Sequence, residues 1–444
     1  MPATDASESR DREPSERDAL PVSRTDPAPG QPLRSSAFRW FLGGQSISMV
    51  GSAMSPVALA FGVLEATGSA AWLSAVTTAA LVPMLAMLLL GGGIADRYRR
   101  DTVLRLTSLG AGLTQAGVAL LLLTHQRPGF LLPLSGINGV FQGLTRPALR
   151  GIVANLTAGR GIQRASSLLA SVRNATQILG PTVAGLLTAS VGGGWAIAAD
   201  AVSFLLAAAC FARMSLPDLL PRTEGGPTML GELREGWSYF SSQSWIWAVT
   251  LAFAVFNALN RGVWQILGPV IANGTIGAEG WGLVLSARGV GALMTSVVMV
   301  KLTVRRPMGP ALASMSLGAL PLILLGVGAN TLLLAAAAFV AGVVSEFFTV
   351  VWETVNNTHI PERLLSRVGA HDEFWSSVPI PVGQLSTPFL AAFFGTAAVA
   401  VTGGGVAAVA MLVPLLVPSL RKIEINRNSD ETRPKRSLNL RRET

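Results

Sequence analysis

Lysine is nearly absent: of 34 basic residues only Lys301, Lys422 and Lys435 are lysines. The first lies in the apolar run VVMVKLT, so the chain has no GxxxxGK loop followed by Ser or Thr to cradle a nucleotide's phosphates. That excludes ATP as its direct energy source. The excess of arginine points to a GC-rich bacterial coding sequence. Cys210 is the single cysteine and sits inside an apolar run, which excludes a disulfide within the chain. His125, His359 and His371 are the only histidines. They have neither metal-ligand spacing nor a cysteine partner, so no metal site is expected. No GxSxG nucleophile motif occurs. An enzyme is not expected, nor a cofactor.

Charge is also scarce, at 13% of 444 residues, against 50% hydrophobic residues. That balance excludes a soluble protein with a polar shell and describes a polytopic membrane protein. The net charge of +9 is spread over alternate loops and the last two dozen residues, with no aromatic-interleaved basic domain. It marks membrane topology and not a nucleic-acid partner.

A helix crossing hydrocarbon needs about 20 apolar residues. Twelve such runs lie near 38–64, 70–94, 102–124, 129–150, 166–190, 194–214, 245–272, 280–303, 309–328, 331–353, 373–395 and 397–419. Loops after the even-numbered runs hold Arg97, Arg99, Arg100, Arg160, Arg164, Arg222, Arg234, Arg305, Arg306, Arg363 and Arg367, while Arg127 is the exception among the others. The positive-inside rule then places both termini in the cytoplasm.

The expected organisation is a disordered tail at 1–35, a six-helix bundle at 36–214, a cytoplasmic linker at 215–244, a second six-helix bundle at 245–420 and a basic tail at 421–444. In the linker, Leu230, Leu233, Trp237 and Phe240 recur at helical spacing with Glu232, Arg234 and Glu235 turned away. This reads as an amphipathic helix on the membrane surface, or as a linker with incidental periodicity. The basic tail reads as a solvated topogenic tail, with contact to anionic lipid as the alternative.

The two halves repeat weakly. Leu179, Gly180 and Pro181 before Ala184 and Gly185 correspond to Ser386, Thr387 and Pro388 before Ala391 and Ala392, and Arg160 corresponds to Arg367 at the same offset. Two repeated halves are how many secondary transporters are built. The loop GGGIADRYRR, Gly91 to Arg100, lies at a membrane face between two apolar runs.

With these features the chain resembles the major facilitator superfamily, from about residue 38 to 420. The family's loop pattern GxxxDRxGRR is matched at Gly92, Asp96, Arg97 and Arg100. Arg99 stands where a second Gly is usual and Asp101 where the last basic residue is usual. The resemblance implies an all-α membrane protein of twelve transmembrane helices in two six-helix pseudo-repeats, and a gating role for this loop at the cytoplasmic face. The stretch ILGPTVAGLL, with Gly180, Pro181 and Gly185, is similar to the Gly-Pro signature of the superfamily's exporters. As chemistry it is a place to bend and pack. Arg146-Pro-Ala, Arg164-Ala-Ser-Ser, Gln177, Asp200-Ala-Val-Ser-Phe and Pro361, Glu362, Arg367, Val368 and Asp372 resemble the subgroup of macrolide-efflux proteins and enterobactin exporters.

An ionisable residue at the centre of a membrane helix costs about 2.5–3.5 kcal/mol on insertion scales, so each is a functional candidate. These are Arg173, Asp200, Arg261, Arg288 and Glu346. Glu346 is the carboxylate near the middle of a span and the candidate proton carrier, with Arg288 or Arg261 as counter-charge. A permanent ion pair is the structural alternative. Asp200, near the start of its run, reads as structural. Many relatives carry an acid after a Gly in helix one, where this chain has Gly51 and Ser52.

Asn257, Arg261 and Trp264 form a polar and aromatic stripe suited to a substrate cavity, or to interhelical hydrogen bonding. Gln45 and Arg173 are further cavity candidates. The expected activity is export of a hydrophobic or amphipathic small molecule, such as a drug, antibiotic or siderophore, against proton entry, by a monomer in a bacterial inner membrane. Three arginines against one central carboxylate favour a neutral or anionic substrate over a cation. A nutrient importer or uniporter, and a sensor or assembly protein on the same scaffold, remain the alternatives.

Overall fold

A computed structural model describes residues 35–97, 99–156, 160–214, 229–299 and 307–421. The expected tails, apart from their innermost residues, and residues 215–228 of the linker lie outside this set. Six helices come first: α1 (Ser36–Thr67), α2 (Ala70–Arg97), α3 (Arg100–Leu123), α4 (Leu131–Leu156), α5 (Arg160–Val191) and α6 (Gly193–Ala212). A short helix, α7 (Met229–Ser242), precedes six more passages. The seventh is α8 (Ser244–Phe256), a π-helical turn (Asn257–Val263) and α9 (Trp264–Asn273); the eighth is α10 (Gly277–Met299). The ninth joins α11 (Met308–Met315) through a 3₁₀ turn to α12 (Leu320–Gly326), and the tenth is α13 (Thr331–His359). The eleventh is α14 (Glu362–Ser377) and α15 (Pro379–Phe394), the twelfth is α16 (Thr396–Ala410), and α17 (Pro418–Arg421) closes the described chain.

Hydrocarbon supplies no hydrogen-bond partner, so each passage must satisfy its own backbone, which a helix does. Ser35 starts α1 by accepting from the Phe38 N–H at 3.4 Å. Gly68, at φ 62°, stops it with its N–H on the Leu64 carbonyl. Nine stretches of the described residues are long and apolar enough to cross a membrane. Passages four, five and eleven are not among these nine, and in the eleventh neither α14 nor α15, at 16 residues each, is long enough by itself. Outward-facing Leu113, Leu120, Leu332, Phe389 and Phe393 are exposed, as a lipid-facing surface requires.

Lipid is as apolar as leucine, so close van der Waals fit and not hydrophobic burial must hold these helices together. Glycine supplies it. Gly291 of α10 lies on the Phe339 carbonyl of α13, and Gly342 of α13 lies on the Arg288 carbonyl of α10, a reciprocal pair with no room for a side chain. The packed cores then differ between the two ends. At the end bearing Arg100, Arg164, Arg234 and Arg363, one cluster (Phe38, Phe41, Leu104, Ile152, Phe211) belongs to α1–α6 alone. Another (Trp245, Ile246, Leu312, Val351, Met411) belongs to the second half alone. Toward the opposite end a single cluster joins Met54, Val57, Phe61 and Ala184 to Val263, Trp264, Leu267 and Trp281. The two halves are closed on each other at that end.

Helix α7 packs on α14 and α8. Phe240 is buried and Trp237 stacks on it with centroids 5.7 Å apart, also meeting His371 and Trp375. Glu235 departs from the solvent-facing role its helical position suggests. It binds Arg367 and lies 3.5 Å from Arg363, both on α14, because two guanidinium groups on the neighbouring helix offer more than water does. Leu230, Glu232 and Leu233 have side chains outside the described set. A Gly342→Val variant is expected to drive α13 off α10 and cost about 1–3 kcal/mol. A lowered unfolding temperature of the purified protein is the measurement.

Candidate functional site

Between the halves lies a cavity of about 700 Å³. Each wall is built by helical periodicity. α13 presents Gly342, Ser345, Glu346 and Thr349, and α10 presents Trp281, Leu285, Arg288 and Ala292. The first half contributes Ser52, Ser55 and Pro56 of α1, Ala80 and Met84 of α2, Gln142 and Arg146 of α4, and Gln177 of α5. From the seventh passage come Asn260, Arg261, Trp264 and Gln265. Trp264 and Trp281 pack at a tilt, with centroids 4.6 Å apart and planes inclined by 38°, at the closed end.

The π turn decides which face of the seventh passage the cavity sees. Widening the turn rotates Asn257 off the Arg261–Trp264 line and onto α14, where its Nδ2 donates to the Ser376 carbonyl at 3.0 Å. π turns are often found at functional sites. Gly262 in this turn sits directly on Gly383 of α15, and Gly383 lies on the Ala258 carbonyl. Next to that contact the eleventh passage is itself interrupted at Val378, between Ser377 and Pro379.

The charges separate into two groups. Arg261 feels Arg146 and Glu373, and Arg288 feels Arg261. Arg146 and Glu373 are 3.5 Å apart. Glu346 instead feels Glu353 and Arg173. No ion pair or hydrogen bond among the described residues reaches Arg261, Arg288 or Glu346. No ion pair of Glu346 with Arg288 or Arg261 is therefore present among the described residues.

Neutral polar groups tie the halves together. Gln384 of α15 is the hub: its carbonyl accepts from Ser74 Oγ at 2.7 Å and its Oε1 from Thr78 Oγ1 at 3.1 Å, both on α2. Its Nε2 donates to Gln265 at 2.7 Å. Thr182 of α5 and Ser286 of α10 are 2.6 Å apart. Asp200 is fully buried at the cavity edge, not near a solvent-facing end. Its Oδ2 accepts from Gln115 Nε2 at 2.7 Å, and Gln115 also reaches Ser55 of α1 at 3.0 Å. Gly51 sits directly on Asp200 and Ser203. The carboxylate that α1 lacks is thus brought to α1 from α6. Asp372 is held similarly in the second half, by Trp352 Nε1 at 2.9 Å and by Thr250 Oγ1 at 2.5 Å.

A family model described as Transmembrane secretion effector matches residues 28–421. The chain belongs to this family of the major facilitator superfamily. Its curated relatives include the enterobactin exporter EntS of Citrobacter koseri, 24% identical over 401 residues that cover 87% of this chain and 93% of that protein. EntS of Shigella flexneri is 24% identical over 355 residues, covering 76% and 81%. Among solved structures, a mutant of the nucleoside transporter NupG superposes with a TM-score of 0.74 at 11% identity, covering 86% of this chain and 99% of NupG. A POT family transporter in complex with 5-aminolevulinic acid gives 0.70 at 12%, covering 86% and 96%. At these identities the structures establish the fold. The protein is a multi-pass membrane transporter and not an enzyme.

Of the family's loop motif, Gly92, Asp96 and Arg97 have side chains outside the described set, and Arg100 begins α3. The two departures from the pattern compensate each other: Arg99 Nη2 and Nε meet Asp101 at 3.1 and 3.3 Å, and Asp101 Oδ1 accepts from the Thr102 N–H. In the Gly-Pro motif, Gly180 packs on Ala53 of α1, and Gly185 packs on Ala278 and Glu279 of α10. Pro181 presents its carbonyl to Gly282. Arg261, Trp264, Arg288 and Glu346 line the cavity. Gln45, Arg173 and Asn257 do not: Gln45 is buried where Gly44 packs on Cys210 and Phe211, and Arg173 is exposed on α5. Gln384 was the residue that sequence reasoning missed, since a lone glutamine carries no periodic signal. Gln384→Leu should strand Thr78 and Gln265 and cost about 1–2 kcal/mol. Combining it with Thr78→Val should be less than additive, which a double-mutant cycle of thermal stabilities reads.

Proposed function

We propose that this protein is a secondary active exporter of hydrophobic or amphipathic small molecules, an antibiotic, another drug or a siderophore, exchanged for protons by alternating access. It works as a monomer in a bacterial inner membrane with both termini in the cytoplasm. The observation that carries this reading is the large cavity between two helical halves that share a core at one end only. With the basic end cytoplasmic by the positive-inside rule, the cavity is shut toward the outside and the helical halves 36–214 and 245–420 rock about it, joined by 215–244.

Export is favoured by the relationship to the enterobactin exporters and by the packing of Gly180, Pro181 and Gly185. Those residues set α5 against α1 and α10 at the closed end, where separation must occur to release substrate outward. The cytoplasmic gate is assigned to Gly92, Asp96, Arg97 and Arg100.

Glu346 is the proposed proton carrier. It is half-buried on the cavity wall with no hydrogen-bond partner among the described residues, so its protonation is free to follow the conformational state. A second carrier is favoured by one observation: Asp200 is enclosed by the neutral partners Gln115, Ser55 and Ser203, with no cation paired to it among the described residues. Transport in inverted membrane vesicles with a pH-sensitive dye and a panel of antibiotics and siderophores decides between them. Wild type is expected to accumulate substrate and release protons, and Glu346→Gln to lose both while keeping gradient-free substrate exchange. Retention by Glu346→Gln with loss in Asp200→Asn assigns the carrier to Asp200. Substrate uptake by wild type without proton movement sinks antiport.

A further inference from the structure

The arginine group of the cavity is chemically incomplete. Arg146, Arg261 and Arg288 come from α4, the π turn and α10, and the charges of neighbouring members act on one another. Glu373 lies beside Arg146 and is the carboxylate that acts on this group. Within this group three positive charges face one negative, and like charges repel; Asp200 and Glu346, the carboxylates of the cavity lining, make no ion pair with it among the described residues. Arg261 is exposed although it stands mid-way along a passage, because the surface it exposes is the cavity.

Two further observations point the same way. Ser345 Oγ, on the cavity wall of α13, is buried without a hydrogen-bond partner, one of three such atoms among the described residues. Gly342, one turn earlier, holds α13 against the backbone at Arg288, which places Ser345 on the stretch of wall beside it. Elsewhere on the cavity wall, the tilted indole pair of Trp264 and Trp281 and the apolar Leu285 and Pro56 form a surface with no charge.

We propose that Arg261 and Arg288 form an anion subsite, so that the exported molecule is an organic anion whose carboxylate-type head is bound by the two guanidinium groups. Ser345 donates a further hydrogen bond, and the substrate's aromatic or aliphatic body lies over Trp264 and Trp281. This inference rests on reading the cavity as the substrate site. A planar guanidinium presents paired donors that match a carboxylate, which an ammonium does not. Bound anion removes the like-charge repulsion between Arg261 and its neighbours. Loaded and empty cavities therefore differ in how closely α10 and the π turn can approach α4.

The test is equilibrium binding to the purified full-length protein in detergent, with tritiated naphthalene-2-carboxylate as probe. Its neutral amide, naphthalene-2-carboxamide, and the cation 2-naphthylmethylammonium serve as competitors. Wild type is expected to bind the carboxylate saturably, with the amide and the ammonium at least about tenfold weaker, as one charge-assisted interaction implies. Arg261→Gln and Arg288→Gln should each remove that preference while still binding the amide, which shows that the cavity is intact. Arg288→Lys should keep the charge and recover part of the preference. Equal competition by the amide or the ammonium, absence of saturable carboxylate binding, or an unchanged preference in both glutamine variants overturns the proposal. Binding does not depend on proton coupling or direction, so an anion preference without export would leave this subsite standing and remove only the exporter reading.

Discussion

The interior of a bilayer offers neither backbone nor side chain a hydrogen-bond partner, and the rest of this structure follows from that constraint. The described passages are helical because a helix satisfies its own backbone. Among the described residues, buried polar side chains are then matched in pairs and chains, with three atoms excepted, on Thr188, Ser345 and Asn356. Asp200 meets Gln115, Asp372 meets Trp352 and Thr250, and Gln384 joins α2 to the seventh passage. Against this matched background Arg261, Arg288, Glu346 and Ser345 stand out. They are polar, they line one cavity, and no partner in the described structure completes them. A folded protein does not leave such groups together without use for them, since each alone would be replaced at little cost to packing.

The same constraint explains how the halves can part. With no hydrophobic force between helices in lipid, association depends on close fit. Gly185 on Ala278, Gly282 on Pro181 and the Thr182–Ser286 contact give that fit along α5 and α10 at one end. At the other end the two cores are separate. Two departures from α geometry, the π turn at Asn257–Val263 and the break between α14 and α15, lie against each other through Gly262 and Gly383, and Asn257 bonds across them to Ser376. Irregular backbone at membrane depth is tolerated where protein covers it or a cavity borders it. Here both conditions hold.

Much of this was legible in the sequence, and for a physical reason. Hydropathy over about 20 residues is a local property, so the apolar runs marked the helices, and alternating arginine loops marked the basic end. The scarcity of lysine, cysteine and histidine excluded nucleotide, disulfide and metal chemistry without any fold. The intramembrane cost of charge singled out Arg261, Arg288 and Glu346 before their positions were known. The loop at Gly92–Arg100 and the Gly180–Pro181 stretch placed the chain among major facilitator proteins, which the family match over residues 28–421 bears out.

What the tertiary structure alone decided is which of these groups meet. A one-dimensional pattern assumes 3.6 residues per turn, so it set Asn257 on the line of Arg261 and Trp264; a π turn, stabilised by contacts with α15, moved it away. It paired Glu346 with Arg288 or Arg261 as counter-charge, whereas no ion pair joins them among the described residues of this conformation. It read Asp200 by its position along a run, while the α1–α6 contact at Gly51 buried it beside the cavity. Composition and local period determine which segments enter the membrane and what chemistry they carry. Only contacts between segments distant in the chain determine which charges are left without a partner.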